Sequence, residues 1–197
     1  MARTSAAHAA ETARRILEVA TSHFAEKGYA AVSVDEVARA ADVTRGAVYH
    51  HYRSKPQLFT AVASAQQQHI AEAIAEATDE RDGTDGLRIG SHAFLDAITR
   101  GAAARVLLID GPAVLSWEDW RHLDSDGPAV LLSEGLAEAG VDAALLDALT
   151  ATLSGAMNEL ALWLSEHPGD SVARSRAHES LDVLLDAVSR PSQLAQE

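Results

Sequence analysis

The sequence predicts an all-α protein, with a three-helix N-terminal domain followed by a larger helical domain. Three observations support this fold class. Alanine and leucine dominate the 197 residues and aromatic residues make up only 5%, so local preferences favour helix over strand. Apolar residues recur at helical spacing along most of the chain. The periodic segments end at Gly and Pro, which interrupt helices.

Helix one is predicted from Thr12 onward, because Ile16, Ala20 and Phe24 fall at helical spacing. Its end is marked by Lys27-Gly28, a cation in the last turn followed by a glycine cap. Residues 1–10 are rich in Ala, Ser and Thr and show no period, so they are expected to form a disordered arm.

Two short helices follow. Ser33 and Glu36 have the spacing of a capping box, so helix two starts sharply and ends near Ala41. After the turn at Asp42, Thr44 is placed to cap helix three, which ends near residue 51. Ser54, with Pro56 in the first turn, begins helix four, which runs to about residue 78.

Beyond residue 79, Gly and Pro divide the chain into further helical segments. These are predicted at about 87–100, 102–110, 113–125, 128–139, 142–166 and 171–189. The resulting domain division is an arm at 1–10, an N-terminal domain at 11–56, a C-terminal domain at 57–190 and a tail at 191–197.

Charge is distributed unevenly over a chain whose formal net charge is −13. Residues 1–60 hold eight Lys/Arg against six Asp/Glu, whereas residues 61–197 hold eight against twenty-three. Only residues 1–60 are therefore suited to contact with negatively charged phosphate groups. This difference suggests that the two segments have separate functions. The absence of cysteine excludes disulfide frameworks, Cys-ligated zinc fingers, iron–sulfur clusters and thiol nucleophiles. No cofactor is expected.

The first ten residues lack the apolar core of a signal peptide, and no apolar run approaches membrane-spanning length. A cytoplasmic location is therefore expected.

Helices two and three have the form of a helix-turn-helix, whose second helix enters the major groove of DNA. Within helix three, Val48 is predicted to face the core, which leaves Arg45, Gly46, Tyr49 and His50 turned outward. An exposed Tyr beside an exposed His has little structural purpose on so short a helix, whereas phosphate or base contact gives it one. Lys55, at the start of helix four, places a cation beside free backbone N–H groups that suit a phosphate.

The stretch VSVDEVARAADVTRGAVYHHYRSKPQLF resembles the DNA-binding domain of the TetR family of regulators. The resemblance covers about residues 12–60. It departs from the family pattern at the turn, where Asp42 replaces glycine, and at Tyr52, which replaces phenylalanine and whose hydroxyl needs a partner. It implies phosphate contacts at Ser33, Thr44, Tyr49, His51 and Lys55, and base-edge contacts at Arg45, Gly46 and His50.

The C-terminal part is similar in outline to the family's ligand-binding domain. The resemblance implies that the helices at about 142–166 and 171–189 pair with their copies in a second subunit as a four-helix bundle. Their apolar residues permit this independently, although some must belong to the core of one chain.

A ligand site is harder to predict. Trp117 and Trp120 belong to a stripe that suits either a pocket wall or the core. Arg105, Arg121 and Asn158 are polar residues beside apolar runs, and are candidates to orient a ligand.

The favoured function is that of a homodimeric, ligand-responsive regulator, a repressor released from a palindromic operator by a small apolar molecule. Two alternatives remain, a helical-bundle metalloenzyme and a protein-interaction module without DNA binding. The chain contains no Glu-x-x-His, HExxH, GxSxG or Walker-type motif, so an enzyme has little support. Glu118, His122 and Asp126 have metal-ligand spacing, but a solvated helix face is the preferred interpretation.

Overall fold

The computed structural model describes residues 2–79, 81–116 and 127–189, and all regular structure within these ranges is helical. Helices α1 to α4 are Ala2–Lys27, Val34–Ala40, Arg45–Tyr52 and Lys55–Thr78. Helix α5 is Gly83–Ile98, a π-helical segment covers Ala104–Asp110, and α6 is Gly111–Val114. Helices α7, α8 and α9 are Pro128–Glu138, Leu146–Ser165 and Ser171–Ser189.

The all-α prediction is confirmed, and the two short helices begin at the predicted caps. The N-terminus differs from expectation, because α1 begins at Ala2 where a disordered arm was predicted. Alanine has the highest helix propensity of any residue, so the Ala-rich start continues the helix without an apolar stripe.

The described residues divide into two compact units. The first comprises residues 2–66 and 101–116, and the second comprises residues 67–79, 81–100 and 127–189. Helix α4 contributes its first half to the first unit and its second half to the second. This grouping differs from the predicted division at residue 56, because residues 101–116 pack with the N-terminal helices.

The core of the first unit forms where α1 meets the helices that follow it. Ile16, Ala20 and Phe24 lie on one stripe of α1 and are fully buried. Val37 of α2 and Val48 of α3 are each 1% exposed. This burial holds the three helices in a fixed arrangement, which leaves the opposite face of α3 to solvent.

The π-helical segment packs against α1 within the same unit. Its Val106 and Leu107 are buried. Residues five apart lie on different faces of an α-helix, but the wider π turn brings them close to one face. Arg105 and Asp110 consequently both reach the end of α1, where Asp110 Oδ2 accepts a hydrogen bond from the Tyr29 N–H at 2.9 Å.

The second unit is built from the later half of α4 with α5, α7, α8 and α9. Side chains such as Ile70, Leu95, Leu136 and Leu181 are fully buried between these helices. A polar network joins α5 to α9. Its pairs are Arg88 with Asp182 and Asp186, His92 Nε2 with Asp182 Oδ1 at 2.9 Å, and Asp96 Oδ1 with Arg174 Nη1 at 2.8 Å and His178 Nε2 at 3.2 Å.

None of the described helices is long and apolar enough to span a membrane. Within the same described ranges, no group of three or more His, Asp and Glu side chains has the arrangement of a metal site. The candidate ligands Glu118, His122 and Asp126 lie outside the described residues.

Candidate functional site

Helix α2 begins with the predicted capping box. Ser33 Oγ accepts a hydrogen bond from the Glu36 N–H at 3.2 Å, and the Ser33 N–H donates to Glu36 Oε2 at 2.8 Å. These bonds from the backbone and hydroxyl of Ser33, with the charge of Lys27, hold the pKa of Glu36 below its ordinary value. Ser33 is exposed at the start of α2, where its hydroxyl caps the helix and also donates to Glu36 Oε2 at 3.0 Å.

The turn between α2 and α3 depends on Asp42, which has a φ of 51°. This is the left-handed conformation for which glycine is usually chosen and which Asp tolerates better than most residues. Arg15 Nη2 of α1 donates to the Asp42 carbonyl at 3.5 Å. The replacement of glycine noted in the sequence is therefore compatible with the tight turn.

Helix α3 presents one polar face to solvent. Thr44 caps it by accepting a hydrogen bond from the Ala47 N–H at 3.1 Å. Val48 points into the core as predicted, whereas Thr44, Arg45, Gly46 and His50 are exposed. The half-buried residues of the face are Tyr49 and His51. The face therefore combines hydroxyl, guanidinium, phenol and imidazole groups on one short helix.

Arg45 is held over this face by two neighbours. Its Nη1 forms an ion pair with Asp35 Oδ2 at 2.9 Å, and its Nη2 donates to the Tyr49 hydroxyl at 3.3 Å. The guanidinium carbon lies 5.3 Å from the centre of the Tyr49 ring. The hydrogen bond to Tyr49 and the charge of Asp35 raise the pKa of Arg45, so its charge is permanent. Asp35 was not singled out by the sequence, and its relation to Arg45 depends on the tertiary angle between α2 and α3.

Tyr52 fixes the end of α3 to α1. Its hydroxyl donates to the Ala13 carbonyl oxygen at 2.8 Å, which supplies the partner that the sequence required. Burial raises the pKa of the Tyr52 phenol, so the group remains a neutral donor. This bond secures the orientation of the exposed face.

Lys55 is positioned at the first residue of α4. Its ammonium lies 4.2 Å from the centre of the Tyr29 ring, a cation–π arrangement. The Tyr29 ring itself packs against Phe24 and Phe59, with centroid distances of 5.8 and 5.1 Å. The aromatic cluster thus fixes where the charge of Lys55 stands at the start of α4.

The structure describes two of the five sequence-predicted ligand residues. Arg105 belongs to the first unit, where its guanidinium lies against Gly28 and pairs with Asp110 at 3.7 Å. Asn158 is half-buried on α8 in the second unit. Trp117, Trp120 and Arg121 lie outside the described residues.

A cavity of about 170 Å³ lies in the second unit between α4, α5, α7 and α8. Its buried lining includes Phe94, Leu132 and Ser91, and its rim carries Arg81 with exposed carboxylates of α7. Sequence reasoning missed this cavity. The available signal was Gly86 and Gly90, one turn apart in α5, with Ser91 next to them and Gly135 in α7.

Helices α8 and α9 carry a second, open depression whose lining is largely apolar. Leu160 and Trp163 come from α8, and Ala177 and Leu184 come from α9. Leu184 is 38% exposed in the single chain, whereas Leu181 and Leu185 face the core. The two helices therefore have an inward apolar stripe and an outward one.

A helix-turn-helix packed on a third helix and followed by a separate helical unit defines a class of DNA-binding regulators. The family model described as "Bacterial regulatory proteins, tetR family" matches residues 16–62. A second model, "Tetracyclin repressor-like, C-terminal domain", matches residues 84–188. The chain belongs to the TetR family of bacterial regulatory proteins.

Curated relatives match only part of the chain. The HTH-type transcriptional regulator AcrR of Shigella flexneri is 40% identical over 72 residues, which cover 36% of this chain and 34% of the relative. The transposon Tn10 TetC protein of Escherichia coli is 34% identical over 96 residues, with 49% of both chains covered. The chain thus spans between a third and half of the length of these relatives.

Solved structures match over more of the chain. A TetR-family transcriptional regulator from Pectobacterium atrosepticum has a TM-score of 0.72 at 27% identity, covering 94% of this chain and 98% of that protein. A TetR-family regulator from Streptomyces coelicolor also gives 0.72, at 22% identity and with 91% and 82% covered. At 22% identity, the likeness to the Streptomyces coelicolor protein shows a shared fold.

Proposed function

We propose that this protein is a transcriptional repressor that binds a palindromic operator as a homodimer and is released from DNA by a small molecule. The observation that carries the proposal is the outward face of α3. The helix is held by the caps at Ser33 and Thr44 and by the bond from Tyr52, and its polar face is at least partly open to solvent. A rigid helix with accessible polar side chains is what major-groove recognition requires.

Charge supports the same assignment. The ammonium of Lys55 flanks the start of α4, and the guanidinium of Arg45 stands on α3 itself. Phosphate contacts of this kind position a protein on DNA, while side chains that reach base edges select the sequence. Thr44, Tyr49 and His51 are proposed to join Lys55 and Ser33 at phosphates. Arg45, Gly46 and His50 are proposed to face base edges.

We propose a homodimer because each subunit has one recognition helix, which reads only one half-site of a palindromic operator. The outward apolar stripe of α8 and α9 is the proposed contact, because two copies would bury it as a four-helix bundle. Leu184→Asp places a charge on this stripe and is expected to give monomers. Ser175→Asp, on the other side of α9, is the matched control and is expected to remain dimeric in size-exclusion chromatography with light scattering.

The decisive experiment selects bound sequences from a random duplex library with the full-length protein. An inverted repeat is expected, and its affinity should fall steeply as salt concentration rises because counterions are released from phosphates. Recovery of no preferred sequence would reject a site-specific regulator. Tight binding of the monomeric Leu184→Asp variant to a single half-site would reject the dimer.

A further inference from the structure

The cavity of the second unit is open to solvent at its rim and apolar on its inner side. Its inner wall is formed by side chains that are each no more than 7% exposed, namely Ile74, Leu87, Phe94, Leu132 and Met157. Every side chain in this group is a hydrocarbon or a thioether, so the interior favours an apolar occupant.

Glycines allow the surrounding helices to approach one another. A Cβ atom at Gly90 of α5 would lie 3.2 Å from Thr78 Cγ2, and one at Gly135 of α7 would lie 3.4 Å from Leu87 Cδ1. These helices are therefore closely packed around the cavity. Its volume of about 170 Å³ is close to that of an apolar protein cavity of about 150 Å³ that accepts benzene.

Ser91 supplies a polar group in this lining. The residue is 4% exposed, and its Oγ is buried without a hydrogen-bond partner among the described residues. A serine inside a helix commonly satisfies its hydroxyl at the carbonyl one turn earlier. A buried hydroxyl that lacks such a bond costs free energy, which a ligand with a complementary group would recover.

Among the described residues that line the cavity, the ionisable side chains belong to its outer part. Arg81, Glu134 and Glu138 are exposed, and two carboxylates stand there against one guanidinium. A charged ligand group that reached the interior would be desolvated without a counter-charge. An anionic group held at the rim would meet a net negative surface.

We propose that this cavity binds neutral molecules of about one six-membered ring that carry a single hydroxyl group, which hydrogen-bonds to Ser91 once the serine side chain rotates about χ1 to bring its buried Oγ to the cavity. Phenol is the simplest member of this class. The inference rests on the proposed ligand response, and it names the chemistry of the ligand and the side chain that selects it. Anions of the same size are excluded by the interior and by the rim.

The test measures binding of benzene, phenol and benzoate to the full-length protein by ligand-observed NMR at neutral pH. Phenol is expected to bind about fivefold more tightly than benzene, the effect of one net hydrogen bond. In Ser91→Ala this advantage is expected to disappear while benzene affinity is unchanged. Ser175→Ala, at an exposed site on α9, should retain the advantage. Benzoate should bind at least about tenfold more weakly than phenol because its charge would be buried unpaired.

Three outcomes would overturn the inference. They are equal affinity for phenol and benzene in the wild type, an unchanged phenol advantage in Ser91→Ala, and benzoate binding as tight as that of phenol. Equal affinity for phenol and benzene would result if an ordered water formed the hydrogen bond to Ser91 and phenol did not displace it. Ser91→Ala loses a hydroxyl with no partner, so it is expected to fold with at least wild-type stability, as thermal unfolding will verify.

Operator binding by the same preparations separates this inference from the proposed function. A protein that binds an operator but not phenol would contradict only the ligand class. A protein that binds phenol through Ser91 but no DNA would contradict the repressor instead.

Discussion

The backbone N–H of Tyr29 donates to Asp110 Oδ2 at 2.9 Å, which joins the end of α1 to the end of the π-helical segment. The Asp110 side chain is only 18% exposed, and Arg105 stands beside it against Gly28. Gly28 has a φ of +79°, a conformation that favours glycine, and the position of a Cβ there lies 2.5 Å from Arg105 Nη2. The residues following α5 are thereby fixed to the N-terminal helices.

Asp110→Ala is expected to lower the free energy of unfolding by about 1–3 kcal/mol, because it leaves a partly buried N–H without an acceptor. Asp110→Asn keeps an acceptor oxygen and should cost less. Urea unfolding followed by circular dichroism will measure both at one protein concentration. Equal stability of Asp110→Ala and the wild type would show that the bond to Tyr29 contributes nothing.

Lys55→Ala is expected to weaken binding to operator and to unrelated DNA by the same factor, because phosphate contacts carry no sequence information. The slope of log affinity against log salt concentration should fall by about one. Fluorescence anisotropy at several salt concentrations tests this, with Arg100→Ala in the second unit as the charge-matched control. A change in preferred sequence would contradict the assignment of Lys55 to a phosphate.

His50→Ala is expected to behave differently, since His50 is exposed on α3 and is proposed to reach a base edge. A base-edge contact contributes about 1–3 kcal/mol of discrimination. Library selection with the variant should therefore relax preference at one position of each half-site and leave the others unchanged. An unaltered selected sequence with uniformly lower affinity would place His50 at a phosphate instead.

Much of the N-terminal fold was predictable because its signals are local. Capping at Ser33 and Thr44 depends on residues three positions apart, and the structure confirms both caps. The π-helical segment was predicted only as a helix, because its wider turn is stabilised by contacts to α1 that are distant in sequence.

The candidate site also combines features that depend on local sequence with features that depend on contacts between distant parts of the chain. The outward face of α3 follows from helical periodicity around Val48. The pairing of Arg45 with Asp35 and the cavity around Ser91 both depend on the packing of separate helices, which one periodic pattern does not specify.

Asp35→Asn is expected to raise affinity for unrelated DNA more than affinity for the operator. Asp35 and Arg45 are 53% and 59% exposed, so their ion pair adds only about 0–1 kcal/mol to folding. Removing the carboxylate frees the guanidinium for any phosphate and removes a repulsive charge. Anisotropy with both duplexes measures the ratio, and Glu11→Gln on α1 is the matched control. Weaker binding to the operator alone would show that Asp35 positions Arg45 for reading a base.

Asp182 is expected to stabilise the second unit in a pH-dependent way. Burial acts to raise the pKa of Asp182, but hydrogen bonds from Arg88 and His92, with the charges of both, outweigh burial and lower it. A lowered pKa in the folded state contributes stability above the unfolded value of about 3.9, and this contribution is lost as pH falls through the folded value.

Asp182→Asn should therefore unfold at lower urea concentration than the wild type at pH 7, and the difference should close below about pH 4. Asp79→Asn removes the same charge from an exposed turn and is the control. A difference of equal size at pH 7 and pH 3 would assign the effect of Asp182→Asn to packing rather than to ionisation.

Release from DNA is expected to depend on α4. Helix α4 begins beside α3 and continues into the cavity lining at Ile74 and Thr78, so one helix belongs to both proposed sites. A ligand that displaces the far end of α4 would alter the spacing of the two recognition helices, which B-DNA fixes at about 34 Å or a multiple. Phenol is therefore expected to weaken operator binding, and operator must weaken phenol binding by the same factor, typically equivalent to about 1–3 kcal/mol.

Gly135→Val fills the cavity beside Leu87 and should abolish both effects while leaving operator affinity unchanged, whereas Ala137→Val, exposed on the same helix, should retain them. Anisotropy with phenol and calorimetry with operator measure the two factors. A phenol affinity that is the same with and without operator would reject release by this ligand, and full release from Gly135→Val would place the responsive site outside this cavity.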